Sequence, residues 1–452
     1  MAAYLYPDGV SWLLATTINS QMDQDNSRLY SELYDLIISF LYQEEQALRS
    51  CALVCRSWVP ASRAHLFYHI TLTGAPARAS SWSVDTPCRR LFSALVASPH
   101  LASFIHKLSV REGSIADPRT YRWVSEEITF PPLLKKLVNL DELDFNFPVP
   151  GSSDTKTIWS TMVFRDISDA LSSLKLQSFT IRQFCFSGIT DVVRILDACR
   201  NLKTLQLDHV DVTTTSPLST SALEHVFNIQ PVNPLHTQSE IKTSLETLML
   251  RSNSNSLLLP ILQHARSPID LTNLTQLTLN MDAENHRAVL DVLQTTPELA
   301  SLELEIEPSF DFDAHLDPKD VIDLDQLPAL KSLDLHVNVL LARVDPIPWL
   351  TALFSTARSD SPLADIALSC LIDKPPPYLT IQAFDRALQG WRVLDEVLSQ
   401  STFSNLKRFR LDFALDTPIG DGDGQIISDE FTNQLLKLTS KGVLEVDICE
   451  VR

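Results

Sequence analysis

Cys51 and Cys55 stand one helical turn apart in LRSCALVCRSWVPASRAHLFYHITL, residues 48–72, and His65 and His69 repeat that i, i+4 spacing shortly afterwards. Two thiols and two imidazoles would complete a tetrahedral zinc site. The spacing matches no zinc finger, and both cysteines lie in an apolar helical pattern, where free cysteine behaves as a small hydrophobe. The expectation is core cysteines and no metal. A second candidate is DGDGQIISDEF at 421–431, which sets Asp421, Asp423, Gly424, Ile426 and Glu430 at the third, fifth, sixth, eighth and twelfth places of a calcium loop. Ile419 occupies the first place, and LKRFRLDFAL before it reads as a strand rather than an incoming helix. A polar glycine turn capping the helix EFTNQLLKL is expected there. The run EPSFDFDAHLDPKDVIDLDQ at 307–326 could offer Asp311, Asp313, His315 and Asp317 to a cation, or attract a basic partner; a solvated loop is the plainer expectation. No phosphate loop, dinucleotide fingerprint, zincin helix or nucleophile elbow occurs, so neither a cofactor nor a catalytic set is expected.

The elements that must carry these residues are bounded by size and charge. A chain of 452 residues exceeds what one core supports, so it holds several domains or adds core unit by unit. Its 37 basic residues against 56 acidic ones give a net charge of −19, opposite to the footprint of a nucleic-acid reader. Seven scattered cysteines do not form a disulfide framework and fit a reducing compartment, cytoplasmic or nuclear. The N-terminus lacks a basic leader region, and no run approaches the roughly 18 apolar residues of a membrane span.

From residue 73 onwards one pattern recurs: apolar, two variable, apolar, one variable, apolar. It runs through Ile105-Leu108-Val110, Leu140-Leu143-Phe145, Leu176-Phe179-Ile181, Leu202-Leu205-Leu207, Leu245-Leu248-Leu250 and Leu274-Leu277-Leu279. It continues as Leu299-Leu302-Leu304, Leu330-Leu333-Leu335, Leu363-Ile366-Leu368, Leu406-Phe409-Leu411 and Val443-Val446-Ile448. The alternating end of each unit reads as a half-buried strand. Helical patterns lie between: DVVRILDACRNL, HRAVLDVLQTTPEL, WLTALFSTARS and FDRALQGWRVLDEVLSQ. A strand and a helix every roughly 25 to 43 residues is the signature of a leucine-rich-repeat-like solenoid, whose units stack to form a parallel sheet. A doubly wound α/β domain would instead show continuous apolar strands and more glycine than the ten present. The usual asparagine step is mostly missing, since Asp208, Arg251 and Asn280 follow different strands. Residues 211–241 read as a long insertion and DKPPPYL at 373–379 as a stiff extended loop.

Upstream, Leu33, Leu36, Ile37, Phe40 and Leu41 follow one helical face, with Ser31 a candidate cap and Glu32 and Asp35 in the first turn. In the next helical segment Leu48, Cys51, Ala52, Cys55 and Trp58 or Val59 make a complete inward face. Leu53 and Val54 then point elsewhere, and a block this small has too little interior to hide both faces. The surplus marks a surface for a partner.

Residues 29–72 resemble an F-box, in the version common in fungal proteins. The likeness rests on Leu29-x-x-Glu32-Leu33, Ile37-Ile38-x-Phe40-Leu41, Ala52-Leu53-Val54-Cys55-Arg56-x-Trp58 and Ser62-Arg63-x-x-Leu66-Phe67 with Ile70 and Leu72; Tyr30 stands where the family usually has proline. The resemblance implies a three-helix module docking on the Skp-type adaptor of a cullin ubiquitin ligase, with Leu29, Glu32, Leu33, Ile37, Leu53, Val54, Cys55 and Trp58 as the adaptor contacts. The repeats would then hold a protein target, and the chain itself would be non-catalytic. The expected organisation is thus α/β: a flexible tail at 1–28, an F-box-like helical domain at 29–72 and a leucine-rich-repeat-like solenoid at 73–452. The competing expectation is a stand-alone interaction scaffold whose helical block caps the repeats.

Overall fold

The computed structural model of the chain describes residues 31–42, 44–73, 86–112, 123–147, 161–213, 242–251, 255–307, 309–312, 321–338, 346–372, 381–415 and 423–450. The fold is α/β with a long parallel sheet. Its strands, in chain order, are β1 (His69–Thr73), β2 (Lys107–Arg111), β3 (Glu142–Asn146), β4 (Ser178–Arg182), β5 (Cys185–Phe186), β6 (Thr204–Asp208), β7 (Asp211–Val212), β8 (Thr243–Ser244), β9 (Thr247–Arg251), β10 (Ile269–Asp270), β11 (Gln276–Met281), β12 (Ser301–Ile306), β13 (Ser332–Asn338), β14 (Asp365–Ile372), β15 (Arg408–Leu415) and β16 (Leu444–Glu450). The chain divides into two compact units, Met1–Leu202 with Asp211–Thr215, and Lys203–Val210 with Ser216–Arg452.

The first unit opens with three helices, α1 (Ser31–Ser39), α2 (Glu45–Val54) and α3 (Val59–Tyr68). Helix α3 runs directly into β1, so Ile70 and Leu72 belong to the sheet and not to the helical block. Strands β1-β2-β3-β4 pair in parallel in that order, with Ile70, Leu108, Leu143 and Phe179 in register. Helices α4 (Pro87–Ala97), α5 (Trp123–Glu126), α6 (Phe130–Leu134), α7 (Thr161–Leu171) and α8 (Ile189–Ala198) fill the connections. Helix α4 starts where Thr86 accepts the Arg89 N–H at 3.1 Å and Pro87 takes the first turn, a position that needs no backbone donor. Phe145, Phe147, Phe164, Phe184 and Phe186 are all buried, with neighbouring rings 5.0–6.1 Å apart. The first residues of the expected insertion, Asp211 and Val212, form β7 and pair with β5; 214–241 lie outside the described residues.

In the second unit the parallel order is β6-β9-β11-β12-β13-β14-β15-β16. Leu205, Leu248, Leu277, Leu302, Leu333, Ile366 and Phe409 form one register row, and Leu207, Leu250, Leu279, Leu304, Leu335, Leu368 and Leu411 form the next. Both rows are buried. The repeat pattern in the sequence therefore marks the strands. A second device tightens the stack. At the start of each strand one carbonyl accepts two successive N–H groups from the next unit: Lys203 from Glu246 and Thr247, Glu246 from Thr275 and Gln276, Thr275 from Ala300 and Ser301, Ala300 from Lys331 and Ser332, Lys331 from Ala364 and Asp365. Buried backbone groups must be satisfied, and here each unit satisfies its neighbour.

Several expectations need correction. Asp208, Arg251 and Asn280 lie within their strands, on the face opposite the leucines, and do not follow them. In the last repeat the register runs two residues early: Leu444, not Val446, pairs with Phe409, and Val446, not Ile448, pairs with Leu411. Gly442, at φ +68, turns the chain so sharply into β16 that the strand begins early. Of the run expected to be a solvated loop at 307–326, the described part is not solvated throughout, since buried Phe310 and Phe312 meet the Trp349 ring at 5.8 and 5.7 Å; Asp313, His315 and Asp317 lie outside the described residues. The calcium-loop candidate is helical from Asp423 to Gln434, with Asp429 accepting from Gln425 and Glu430 from Gln434. Phe431, stacked on Phe413 at 4.3 Å, holds that helix against the sheet. DKPPPYL lies outside the described residues. Among the described residues no helix is long and apolar enough to cross a membrane.

The expected helix EFTNQLLKL is interrupted at Leu435 because the buried carboxylate of Asp395 accepts the N–H groups of Lys437 and Leu438, both at 2.9 Å, and starts a new short helix, Leu436–Ser440. Asp395→Ala is expected to destabilise this last helix and strand by about 2 kcal/mol, with a smaller loss for Asp395→Asn. Amide hydrogen exchange over 436–448 checks it: unchanged protection in the alanine variant would refute the assignment.

Candidate functional site

Two surfaces present chemistry that the fold itself does not use. The first is on the three N-terminal helices. Ile38, Leu48 and Ala61 form the small core of this block, with Leu41, Trp58 and Leu66 packed on it. Trp58 lies 6.0 Å from the Tyr34 ring. Helix α1 therefore turns Tyr34 and Ile38 inward. Leu33, Leu36, Ile37 and Phe40, spaced i, i+3, i+4, i+7, lie on its exposed side, and Phe40 is 78% exposed. Two apolar faces on one short helix exceed what a core of this size can cover. Helix α2 repeats the conflict. Leu48 and Cys51 are buried, whereas Leu53 and Val54 are 68% and 65% exposed in its last turn. The helix stops there because Cys55 is fully extended, φ −157 and ψ 162, with its thiol 3.0 Å from the Ser57 hydroxyl.

Of the residues expected at an adaptor, Leu33, Ile37, Leu53 and Val54 are exposed, and Cys55 and Trp58 are half-buried, Trp58 serving the block's own core. Glu32 lies in α1, and Leu29 is outside the described residues. Reasoning from sequence put Leu36 and Phe40 on the same helical face as Leu33 and Ile37 without counting them as contacts, and passed over Tyr42; all three are exposed as well. The competing stripe Tyr34-Ile38-Leu41, also at helical spacing, was the available signal. The expected inward face of α2 is incomplete, since Ala52 is only half-covered and Cys55 has left the helix.

The zinc-like set does not assemble. Cys51 is buried, Cys55 turns to Ser57, and His69 sits in β1 with Nε2 2.8 Å from the Ser109 hydroxyl. Burial, then Lys107, hold His69 below its ordinary pKa. Among the described residues no group of three or more His, Cys, Asp or Glu is placed to hold a metal ion.

The second surface is the polar face of the second unit's sheet. Because side chains alternate along a strand, the residue between each pair of buried leucines points away from them. Glu303 of β12 lies at its centre. Arg251 reaches it across β11 at 2.5 Å, passing over Thr278, whose hydroxyl donates to the same carboxylate at 3.0 Å. His336 Nε2 stands 3.6 Å from Glu303 and 3.5 Å from Asp334 on β13. From the other side Arg410 of β15 lies 2.8 Å from Asp412 and reaches across small Ala367 of β14 to Asp334 at 4.0 Å. His336, with Arg251 and Thr278, lowers the Glu303 pKa to about 2. Glu303 in turn raises His336, with Asp334 and Glu305 adding to the effect. Burial raises Asp334, helped by Glu303 and Asp412 and opposed by His336 and Arg410. Sequence reasoning assigned none of these residues to a site, although Thr278, Glu303, Asp334 and Arg410 lie at the variable position between the last two apolar residues of their repeats and Arg251, His336 and Asp412 lie just after the last one.

The signs set a pH window. Glu303, held low, contributes stability above its usual range that fades only as pH falls towards about 2. His336, held above its ordinary 6.5, contributes fully below that value and loses its contribution as pH rises through the elevated one. His336→Gln is thus expected to lower the urea midpoint at about pH 6 and to leave it near wild type at about pH 9. An equal deficit at both pH values would remove the charge of His336 from the account.

In comparison with known proteins, no family model matches this chain and no curated protein matches it.

Proposed function

We propose that this chain is a non-catalytic substrate receptor of a Skp-cullin-F-box type ubiquitin ligase, acting in the cytoplasm or nucleus. In this reading the F-box-like helices seat on a Skp-type adaptor, and a leucine-rich-repeat-like solenoid holds a target protein. The observation that carries it is the exposure of Leu53 and Val54 at the end of a helix whose other face is already buried. Apolar side chains in that number on so small a block favour a protein partner over water. Glu32, Leu33 and Ile37 would contribute from the first helix, together with Leu29. Trp58 and Cys55 would act from behind, fixing the turn that presents Leu53 and Val54. The work of such a receptor is proximity. Holding target and ubiquitin-loaded partner on one assembly raises the effective concentration of target lysines.

A second reading has one observation in its favour. Helix α3 continues into β1, and the Tyr68 carbonyl accepts the His106 N–H that leads into β2, so the helical block is tied to the sheet as a cap would be. A scaffold of this kind would bind no adaptor.

Replacing Leu53 and Val54 by Asp separates the two. Both are exposed, so stability should change by no more than about 0.5 kcal/mol each. As central apolar anchors each would contribute roughly 2 kcal/mol to docking, and the double variant should no longer co-elute with a purified Skp-type adaptor in gel filtration. Failure of the unaltered chain to co-elute, or full retention by the folded double variant, would overturn the ligase reading.

A further inference from the structure

The outer edge of β16 is open. Among the described residues β15 is its one strand partner. The Val443 carbonyl accepts the Phe409 N–H at 2.8 Å, and backbone groups alternate sides along a strand. Glu445 and Asp447 therefore also bond towards β15, whereas Leu444, Val446 and Ile448 turn their N–H and C=O groups outwards. Among the described residues nothing takes those groups up. The apolar row is uncovered at the same place. Phe409, Leu411 and Phe413 of β15 are buried, but their register partners Leu444, Val446 and Ile448 are only half-buried. The edge strand of the first unit differs, since Ile70 and Leu72 of β1 are both buried. Unpaired backbone beside an uncovered apolar row is a template for one more strand.

The side chains of β16 decide which strand fits. Glu445 and Asp447 are exposed on the polar face and take part in no ion pair among the described residues. A second copy of the chain, paired antiparallel about Val446, would set Glu445 opposite Asp447 twice, and like charges directly opposite each other are destabilising. A strand carrying cations at those places would be favoured for the same reason. We propose that the β16 edge binds an extended segment of a partner protein as an added strand, with lysine or arginine beside Glu445 and Asp447 and aliphatic residues beside Leu444, Val446 and Ile448. The new strand would lie about 4.8 Å from β16, and its alternate side chains would fall on the two faces in step with those of β16. Its backbone would satisfy the outward N–H and C=O groups, its aliphatic residues would cover the half-buried row, and its cations would select it. The inference rests on the reading that the repeats hold a target, and it names the surface and the chemistry of one contact with that target.

The test uses the full chain and the peptide fluorescein-Gly-Val-Lys-Val-Lys-Val-Gly-amide, read by fluorescence anisotropy. Two further peptides carry N-methyl groups, one on its lysines and the other on its valines. Only one of these sets faces β16 in a paired strand, so one peptide should lose binding and the other keep it. Loss with methylated lysines marks a parallel strand, and loss with methylated valines an antiparallel one. The variant Glu445→Lys, Asp447→Lys, altered at exposed positions, should bind the parent peptide about tenfold more weakly and prefer its Glu-for-Lys counterpart. Equal effects of the two N-methyl sets, an unchanged preference in the charge-reversed variant, or no binding by the unaltered chain would overturn the inference. The Leu53→Asp, Val54→Asp variant should keep its peptide affinity. Adaptor co-elution is measured separately, so failure of the docking proposal shows in a different experiment.

Discussion

Each strand of this protein has one apolar face that its own unit cannot cover, and the structure follows from that constraint. A leucine removed from water contributes roughly 2 kcal/mol, but only if something lies against it. Leu302 obtains that contact from Leu277 on one side and Leu333 on the other, and every interior strand of the second unit is in the same position. Stacking is therefore obligatory, and parallel order follows because each strand leaves through a connection that returns to the same starting edge. The carbonyls that accept two N–H groups from the next unit fix the register, and with it the face on which every side chain emerges.

The same constraint frees the opposite face. With the leucine rows holding the sheet together, positions such as Thr278, Glu303, Asp334, Ala367 and Arg410 carry little packing demand. Long arginines can lie flat only where the strand between is small, and Thr278 and Ala367 provide those places. The outcome is a charged network whose centre, Glu303, is well neutralised and whose outer strands retain unpaired acids. The leucine face holds the sheet together, and the opposite face is left to carry charge.

The N-terminal helices obey the opposite arithmetic. Their core is small, Ile38, Leu48 and Ala61 with Trp58 across it, and it is full. Leu33, Leu36 and Ile37 on α1 and Leu53 and Val54 on α2 face outwards. A small domain has more surface than interior, so apolar residues beyond its capacity stay on the surface.

How much of this was legible in the sequence depends on the range of the deciding interaction. The eleven apolar triplets locate strands because alternation and burial are local and repeat, and helices such as Ile189–Ala198 and His286–Gln294 declare themselves by the same logic. The surplus at Leu53 and Val54 follows from counting faces on one helix. What the sequence left open was settled by contacts between distant residues. Tyr34 and Ile38 prevail over Leu33 and Ile37 for the inside of α1 because Trp58 is waiting there, in another part of the block. Asp395 breaks a helix some forty residues further on, and Phe413 and Trp391 turn an apparent calcium loop into a helix by taking up Phe431. The charged network needs Arg251, Glu303, His336 and Arg410 brought to one face by four separate strands. Periodicity along a chain states which face a residue occupies, but only the pairing of strands determines its neighbours.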